Sequence, residues 1–443
     1  MGSSTWVDGL TRKFRQELQE LVDSASERGF SPCSFRAFVG GLRSLVNSVG
    51  LEAFVRAVQA QDETAAAIER EDRRLRFRDA STKEWLTPFG RASISRRVYA
   101  GDGGGAGHVP LDEACGMTGQ FMTSEVAEMA MFAVALITPR EVEQLLAKTL
   151  PEGPSTTAVQ HLLEQVGGAL DAQQAEIETT VHEARPLSED GDVLVASWDG
   201  VMTAMREDSK IAWREAGVAA ISVYGQGDEG PDKLDTRYFA RMPESGMVSL
   251  IAQIEDQVAA LTTTRSFREF VVICDGKREI WNTVRGSRVL RSARCILDFY
   301  HAAEHLSEAS KAIYGDTAKA RRWFECRREQ LQLEVGAISK ILRSLRRALA
   351  SLPSTCNEHG IVRKTVSYFT THRRRMQYAE YIARGLPIGS GPVEAAAKTV
   401  VQGRLKRSGM RWSRDGGQRV LDLRTHVKSD RWEPMWSAYL EAA

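Results

Sequence analysis

Two short apolar runs, each followed by aspartate and glycine, most constrain how this chain can fold. Asp199 comes after the run at residues 192–197, and Asp275 comes after the run at residues 270–274. Short apolar runs are typical of buried strands, and acids at strand ends beside the opening of a sheet are well placed to share a metal ion. An Asp-Gly pair is also a common turn signal, so both interpretations stay open at this point.

Further strand-like segments around these runs indicate the class of fold. Residues 247–261, between the two runs, have a helical period. Additional strand candidates are residues 211–224, 236–241 and 295–299. Several strands in succession, followed by strand, helix and strand, predict an α/β fold with a mixed sheet and helices on its faces.

The segment at residues 389–410 carries a third acid. It begins with Gly-Ser-Gly, and Pro392 suits the first position of a helix. Glu394 then lies in the first turn, where the helix dipole favours a negative charge, and a basic stretch follows. This pattern suits a metal-binding carboxylate beside a phosphate backbone. The simpler interpretation is a capping acid on an ordinary basic helix.

The charge of the chain is unevenly distributed. Over 443 residues the formal net charge is only +1. Residues 361–443 nevertheless contain 16 Lys and Arg against 7 Asp and Glu, whereas the first 300 residues contain 33 against 44. A basic C-terminal part is what a polyanion-binding surface requires, although such a surface can also be simply solvated.

Cysteine usage and the lack of signal patterns indicate a cytoplasmic protein. The six cysteines form no CxxC pair, which argues against a disulfide framework or a zinc ribbon. The N-terminus has no secretory pattern. The longest apolar run, residues 126–137, contains Glu128 and is too short to span a bilayer. We therefore expect no membrane partner.

The N-terminal part contains two candidate DNA-binding segments. Residues 85–99 have the pattern of a β-ribbon, which is followed by a glycine-rich loop at residues 101–107. Arg96 and Arg97 on this ribbon either contact phosphates or are solvated strand residues.

A capping box at Thr138, a turn at residues 151–154 and a second helix through Thr156 and Thr157 outline a helix-turn-helix. The same outline is common in plain helical bundles.

Residues 303–385 are almost wholly helical in pattern and rich in arginine. They lie between the last strand and the Glu394 helix, so we interpret them as a helical insertion within the sheet domain. His301 lies just before this insertion and His305 near its start, four residues apart on one helix face, where they could form a metal pair. Without a third nitrogen or sulfur ligand nearby, His305 is interpreted as a packing residue.

Several of these motifs together resemble a known family. The acids Asp199, Asp275 and Glu394, the segment 297–306 (LDFYHAAEHL) and the segment 405–412 (LKRSGMRW) occur in an order that strongly resembles bacterial insertion-sequence transposases of the ISKra type. That group is similar to Mutator-like transposases with an RNase H-like DDE core. The resemblance covers roughly residues 85–443.

The resemblance implies the chemistry and the site. Asp199, Asp275 and Glu394 would be the catalytic acids and the metal ligands for two Mg²⁺ ions, with Mn²⁺ as a substitute. His301 would lie near the scissile phosphate, and Asp298 is open as a further ligand. The partners would be double-stranded DNA, both inverted-repeat ends and target, and a homodimer or higher oligomer would form on that DNA in the bacterial nucleoid.

The expected DNA-contacting residues belong to three segments. Phosphate contacts are independent of base sequence and come mainly from Lys and Arg. The residues are Lys398, Arg404, Lys406, Arg407, Arg411, Arg96, Arg97, Thr156 and Thr157. Trp412, beside Arg411, is interpreted as a core residue.

The predicted organisation places a mainly helical DNA-binding region before an RNase H-like mixed sheet that an all-α insertion interrupts. The predicted divisions are a helical region at 1–80, a β-ribbon and loop at 81–110, a helix-turn-helix region at 111–185, the first part of the core at 186–302, the insertion at 303–385, and the final helix with a basic tail at 386–443.

Two other functions remain open from the sequence. The first is an RNase H-like nuclease or resolvase that hydrolyses DNA without strand transfer. The second is a catalytically silent DNA-binding regulator derived from a transposase. The presence of all three acids argues against this second function.

Overall fold

The computed structural model describes residues 3–70, 73–101, 107–207, 210–228 and 230–442. Most of the predicted glycine-rich loop, residues 102–106, lies outside the described residues. The chain forms two compact units: one comprises Met1–Asp171 with Leu440–Ala443, and the other comprises Ala172–Tyr439.

The first unit begins with two long helices, α1 (Ser3–Arg28) and α2 (Pro32–Gln59). Helix α2 starts at a capping box in which Ser31 and Ser34 exchange side-chain and backbone hydrogen bonds. The helical region predicted for residues 1–80 is wrong beyond α2, because residues 67–70 and 73–80 belong to strands. Residues 74–78 alternate arginine with leucine and phenylalanine, and this period of two suits a strand.

A three-stranded antiparallel sheet follows, in the order β1-β2-β3. Its strands are β1 (Ala67–Arg70), β2 (Arg73–Thr87) and β3 (Gly90–Ala100). The predicted β-ribbon is therefore confirmed. Gly90 closes the β2–β3 turn with a φ of 123°, which only glycine adopts readily. One face buries Trp85 and Ile94 against Leu111.

Four helices complete the first unit, and the last of them ends at its boundary: α3 (Pro110–Ala114), α4 (Ser124–Leu136), α5 (Pro139–Thr149) and α6 (Thr156–Ala172). The capping box predicted at the start of α5 is confirmed, because Thr138 and Glu141 each accept a hydrogen bond from the other's backbone. Helices α5 and α6 with their short connection have the helix-turn-helix outline.

The second unit contains a five-stranded mixed sheet, as predicted. Its strands are β4 (Val193–Glu207), β5 (Lys210–Gly227), β6 (Gly230–Arg241), β7 (Glu269–Cys274) and β8 (Arg294–Leu297). Their order across the sheet is β6-β5-β4-β7-β8. The β4–β5 and β5–β6 pairs are antiparallel, whereas the β4–β7 and β7–β8 pairs are parallel.

Strand β4 is much longer than predicted, and Asp199 lies within it rather than after its end. The strand pairs with β7 only through Ala196, opposite Val272. Beyond that point β5 continues to pair with it as far as Lys210 opposite Glu207. Because β5 continues to pair with it, and Trp412 adds a short bridge at Met205, the strand extends past the end of β7 and carries Asp199 just beyond that end.

Helices surround this sheet and account for the rest of the unit. They are α7 (Gln174–Ala184), α8 (Val248–Thr264), α9 (Arg278–Gly286), α10 (Phe299–Tyr314), α11 (Ala318–Leu333), α12 (Ala337–Ser351), α13 (Asn357–His372), α14 (Tyr378–Ala383), α15 (Gly391–Ala396), α16 (Gly403–Leu405), α17 (Arg414–Lys428) and α18 (Trp432–Ala442). A π-helical segment, Ala397–Gln402, joins α15 to α16.

The largest hydrophobic core packs the sheet and the helices after β8 together. It includes Val195 of β4, Val272 of β7, Leu306 of α10 and Phe369 of α13. Helices α10 to α14 therefore share the core of the sheet. In the parts of the chain that the structure describes, no helix combines the length and apolar composition needed to cross a membrane.

Candidate active site

Asp199 and Asp275 meet at the step where β7 ends and β4 continues. Lys277 joins them, because its Nζ lies 3.1 Å from Asp199 Oδ1 and 3.8 Å from Asp275 Oδ2. The same Nζ is 3.1 Å from Oε1 of Glu215 on β5. We call this group of three acids and one lysine the Lys277 bridge.

Local structure explains how Lys277 reaches these acids. Its backbone N–H donates to Asp275 Oδ1 at 3.0 Å, which closes a tight turn after β7. Gly276 allows that turn to pack closely, since a Cβ there would lie 2.2 Å from the ring of Tyr368 on α13. The helices after β8 thus supply one wall of the turn that holds Asp275.

The electrostatics of the Lys277 bridge favour a protonated lysine. Partial burial lowers the pKa of Lys277, but the surrounding acids, Asp199 first among them, outweigh burial and raise that pKa above its ordinary value. Burial raises the pKa of Asp275, which the backbone N–H and the charge of Lys277 partly oppose. Lys277 thereby offsets one of three clustered negative charges.

Glu394 belongs to a second, neighbouring group with Asp298 and His301. One potential ligand atom from each of these residues lies within 4.8 Å of the others. Helix α15 carries Glu394 in its first turn, as predicted. Asp298 precedes α10 and His301 lies in its first turn.

Asp298 is the structural centre of this second group. Its side chain is fully buried, and Oδ1 accepts a hydrogen bond of 2.8 Å from the His301 N–H. Its Oδ2 accepts from the Ser390 N–H at 2.5 Å. One carboxylate therefore caps α10 and fixes the turn immediately before Glu394. We call this arrangement the Asp298 junction.

Two further contacts strengthen the Asp298 junction. The Phe299 N–H donates to the Ile388 carbonyl at 2.9 Å. Gly389 is required for this close approach, because a Cβ there would lie 2.7 Å from the Tyr300 ring. The Asp298 N–H also donates to the Cys274 carbonyl at 2.9 Å, which places the junction beside the strand end that precedes Asp275.

The two groups of acids are therefore adjacent parts of one edge of the sheet. Burial raises the pKa of Asp275, and His301 of the second group is among the charges that oppose this rise, so the two groups interact electrostatically. Carboxylate oxygens predominate in both groups, and hard divalent cations prefer such ligands. The carboxylates of Asp199 and Asp275 in one group, and those of Glu394 and Asp298 in the other, fit an ion of this kind.

The histidine pair predicted on α10 separates into two environments. His301 is partly exposed, and its Nδ1 lies 3.2 Å from Oε2 of Glu304. The His305 ring packs at 4.0 Å from the ring of Tyr368. Burial lowers the pKa of His305. This position agrees with the interpretation of His305 as a packing residue.

A cleft of about 770 Å³ opens beside Asp199. Asp199, Glu215 and Lys277 of the Lys277 bridge line it. The other charged lining residues are the acids Glu207, Glu244 and Glu279 and the arginines Arg206, Arg214 and Arg414. Arg214 pairs with Glu207 and Arg414 with Glu244, so the cleft carries both signs of charge beside Asp199.

The basic residues predicted after Glu394 are not equally accessible. Lys398, Lys406 and Arg411 are exposed, and Arg407 is half-buried. Arg404 is only 1% exposed, with its guanidinium 4.9 Å from the centre of the Trp412 ring. The expectation that Arg404 contacts phosphate is therefore wrong for this conformation, because its side chain lies in the core that Trp412 packs against.

The ribbon arginines also have structural partners. Arg96 is 8% exposed and bonded to Asp112 at 2.5 Å and to Ser81. Because this buried ion pair joins the ribbon to α3, Arg96 is not available for phosphate contact as predicted. Arg97 is half-buried, donates to the Thr64 carbonyl and lies over the Phe77 ring.

The candidate helix-turn-helix residues also differ in their contacts and exposure. The Thr156 N–H and hydroxyl both donate to Glu143 Oε2, so Thr156 fixes the start of α6 against α5. This contact lowers the pKa of Glu143. Thr157 and His161 are exposed on α6.

Sequence reasoning missed Lys277 and Glu215, and it left the part played by Asp298 open. Lys277 lies two residues after Asp275, and this closeness in sequence was the signal that could have identified it. Glu215 lies 16 positions after Asp199 in the sequence and meets it only because β5 folds back along β4. No local pattern marks it.

Comparisons with known proteins do not assign this site. A scan against models of known protein families finds no match, and a search of curated proteins finds none. Two solved structures are weakly similar. The first is NurA with manganese, at 13% identity over 65% of this chain and 66% of that chain, with a TM-score of 0.10. The second is NurA bound to dAMP and manganese, at 11% identity over 64% and 63%, with the same TM-score.

In both comparisons the chain spans slightly less than two thirds of the NurA chain. A TM-score of 0.10 supports no argument about the fold or the activity of this protein.

Proposed function

We propose that this chain is a DDE-type DNA transposase that binds the ends of an insertion sequence, cleaves DNA strands and joins them to a target. The observation that carries the proposal is that Asp199, Asp275 and Glu394 belong to two neighbouring groups of side chains although Asp199 and Glu394 are 195 positions apart in the chain. Asp199 and Asp275 share Lys277. Glu394 groups with Asp298 and His301, and the Asp298 N–H donates to the carbonyl of Cys274, the residue before Asp275.

The sheet topology supports an RNase H-like core. The sheet has the order β6-β5-β4-β7-β8, with three antiparallel strands followed by two that run parallel to β4. Asp199 lies on β4, Asp275 follows β7 and Glu394 lies in the first turn of α15, which is compatible with the order of the three acids in the proposed family.

Within the proposal, Asp199, Asp275 and Glu394 would hold two Mg²⁺ ions, or Mn²⁺ in their place. Such ions activate the attacking oxygen and stabilise the leaving oxygen in phosphoryl transfer. Asp298 positions Glu394 through the Ser390 hydrogen bond. His301, partly exposed beside Glu394, is placed to hydrogen-bond a phosphate oxygen.

The partners follow from the surface near these acids. Lys398, Lys406 and Arg411 are exposed after Glu394 and would contact DNA phosphates without reading bases. Thr157, on the exposed side of α6, is the remaining candidate for contacts to the inverted-repeat ends. Because two ends must be held at once, we propose that a homodimer or higher oligomer forms on DNA.

The experiment that tests the proposal uses purified protein, a supercoiled plasmid and a labelled duplex carrying the DNA that flanks its own gene. Wild type is compared with Glu394→Gln in Mg²⁺ or Mn²⁺. We expect metal-dependent cleavage and joined products in wild type, and neither in the variant. Binding of the labelled duplex, measured in parallel, should remain within about threefold, since the variant removes one charge away from the phosphate-contacting cations.

Each other outcome has a definite meaning. Cleavage without joined products would replace the transposase with an RNase H-like nuclease or resolvase. Binding without cleavage in either protein would favour a DNA-binding regulator. Equal cleavage by wild type and Glu394→Gln would remove Glu394 from the site.

A further inference from the structure

The Lys277 ammonium is in contact with all three acids of the Lys277 bridge. Its ammonium lies within 3.1 Å of both Asp199 Oδ1 and Glu215 Oε1 and 3.8 Å from Asp275 Oδ2. When ionised, the three acids carry three negative charges, and Lys277 supplies one positive charge. The group therefore keeps an excess of negative charge around a cation position that is already filled.

The contacts of Lys277 also allow it to leave. Its side chain is 42% exposed, and all its partners in the bridge are themselves partly exposed. Ion pairs of this kind contribute little to stability because water competes with both partners. A flexible four-carbon chain can move its ammonium by several ångströms without moving the backbone.

Glu215 is placed to retain the ammonium when it moves. Glu215 stands on β5 across from β4, where Gly200 leaves space for it: a Cβ at Gly200 would lie 2.0 Å from Glu215 Oε1. Glu215 Oε1 already lies 3.1 Å from the Lys277 ammonium, so contact with Glu215 alone would still pair the lysine with a carboxylate.

We propose that Lys277 is a built-in competitor for the divalent cation: its ammonium occupies the position between Asp199 and Asp275, and metal binding displaces it toward Glu215. This inference rests on the proposed function only in that Asp199 and Asp275 bind a divalent cation. Lys277 is thus a positioning residue that offsets part of the charge of these acids until a metal ion arrives.

The first test titrates the full chain with Mn²⁺ in the absence of DNA and measures the binding by isothermal calorimetry. Lys277→Met keeps the length of the side chain and removes its charge. We expect the variant to bind Mn²⁺ about threefold to tenfold more tightly than wild type, because the competing charge is gone.

The matched control is Lys233→Met, which removes the same charge from an exposed lysine on β6, opposite Tyr224 in the sheet and away from the Lys277 bridge. Its affinity for Mn²⁺ should equal that of wild type. Unchanged or weaker binding by Lys277→Met would overturn the inference, and so would a lack of Mn²⁺ binding by both proteins.

A second test uses the wild-type protein and does not depend on any variant folding. Lysines are acylated at neutral pH with a water-soluble ester, and the extent at Lys277 and Lys233 is measured by peptide mass spectrometry with and without Mg²⁺. Displacement from Asp199 and Asp275 should accelerate acylation of Lys277 relative to Lys233. Equal or slower acylation in Mg²⁺ would contradict displacement.

The role of Glu215 is tested by a double-mutant comparison. Glu215→Gln should weaken Mn²⁺ binding in the wild-type background, because the displaced ammonium loses its partner. The effect should largely vanish in the Lys277→Met background. An equal loss in both backgrounds would show that Glu215 binds the ion directly and would overturn the proposed retention.

These outcomes are separable from those of the cleavage experiment. The Mn²⁺ titrations contain no DNA, so tighter binding by Lys277→Met would support the competitor role even if no strand is cleaved. Conversely, normal cleavage and joining with no change in Mn²⁺ affinity would support the transposase and reject the competitor.

Discussion

The Asp298 junction and the Lys277 bridge lie at the same edge of the sheet but hold their carboxylates in opposite ways. Asp298 is fully buried, and two backbone N–H groups satisfy its oxygens. Asp199, Asp275 and Glu215 are partly exposed and share one flexible ammonium. The first arrangement fixes the backbone, whereas the second leaves its oxygens exchangeable.

The two groups therefore have different roles: the Asp298 junction fixes the backbone, and the Lys277 bridge supplies carboxylates that can change partner. Both oxygens of the buried Asp298 accept a backbone hydrogen bond, so this carboxylate fixes the turn before Glu394 and also keeps lone pairs that face the group with Glu394 and His301. A partly exposed carboxylate paired with lysine can change partner at small cost. The comparison therefore predicts large stability effects at Asp298 and small ones at Lys277.

The largest effect on stability is expected for Asp298→Ala. The variant loses the cap of α10 and leaves the N–H groups of His301 and Ser390 unsatisfied in the interior. We expect the free energy of unfolding to fall by about 3 kcal/mol. Asp298→Asn retains one acceptor and should lose about half as much. Urea unfolding monitored by circular dichroism measures both, and equal stability of Asp298→Ala and wild type would refute the junction.

A buried cluster of Glu178, His426 and Arg431 offers a further test, because its protonation should make the free energy of unfolding depend on pH. Burial lowers the pKa of His426 to about 4 from 6.5. Its Nε2 lies 3.5 Å from Glu178 Oε1, and Arg431 also pairs with Glu178. Below pH 6.5 the unfolded chain takes up a proton at His426 that the folded chain does not, so stability falls as the pH falls toward 4.

Between pH 6.5 and pH 5 this single group should cost about 2 kcal/mol, at about 1.4 kcal/mol for each pH unit. The measurement is the free energy of unfolding at the two pH values for wild type and for His426→Gln, which does not titrate in this range. The variant should lack that part of the pH dependence. An identical pH dependence in both proteins would show that His426 titrates normally in the folded chain.

The smallest effect is expected for Lys277→Met without metal ions. Because the ion pairs of the bridge are partly exposed, the free energy of unfolding should change by less than about 1 kcal/mol. The same urea experiment in a chelating buffer measures it. A loss as large as that of Asp298→Ala would mean that both regions are structural and would remove the contrast between them.

Much of the sheet was predictable because its signals are local. The apolar runs before Asp199 and Asp275 identified β4 and β7, and the pattern at Thr138 identified the start of α5. The extension of β4 past Asp199 was not predictable in this way, since it depends on pairing with β5. The strand at residues 67–70 likewise depends on a partner in β2.

The candidate site was predictable in its acids but not in its supporting contacts. Asp199, Asp275 and Glu394 follow recognisable turn and helix signals in the sequence. Lys277, Glu215 and the burial of Arg96 and Arg404 depend on contacts between distant elements. Sequence shows that a residue is charged, whereas only the fold shows whether a neighbour already neutralises it.

The most direct test of the central claim is metal rescue at Asp199. In Asp199→Cys a thiol replaces the carboxylate with its sulfur near the position of the carboxyl carbon. Thiolates bind Mg²⁺ poorly and accept Mn²⁺ more readily. If Asp199 is a metal ligand, wild type should cleave DNA with either ion, Asp199→Cys should cleave only with Mn²⁺, and Asp199→Ala should cleave with neither. Cleavage by Asp199→Ala in Mg²⁺ at the wild-type rate would contradict the account.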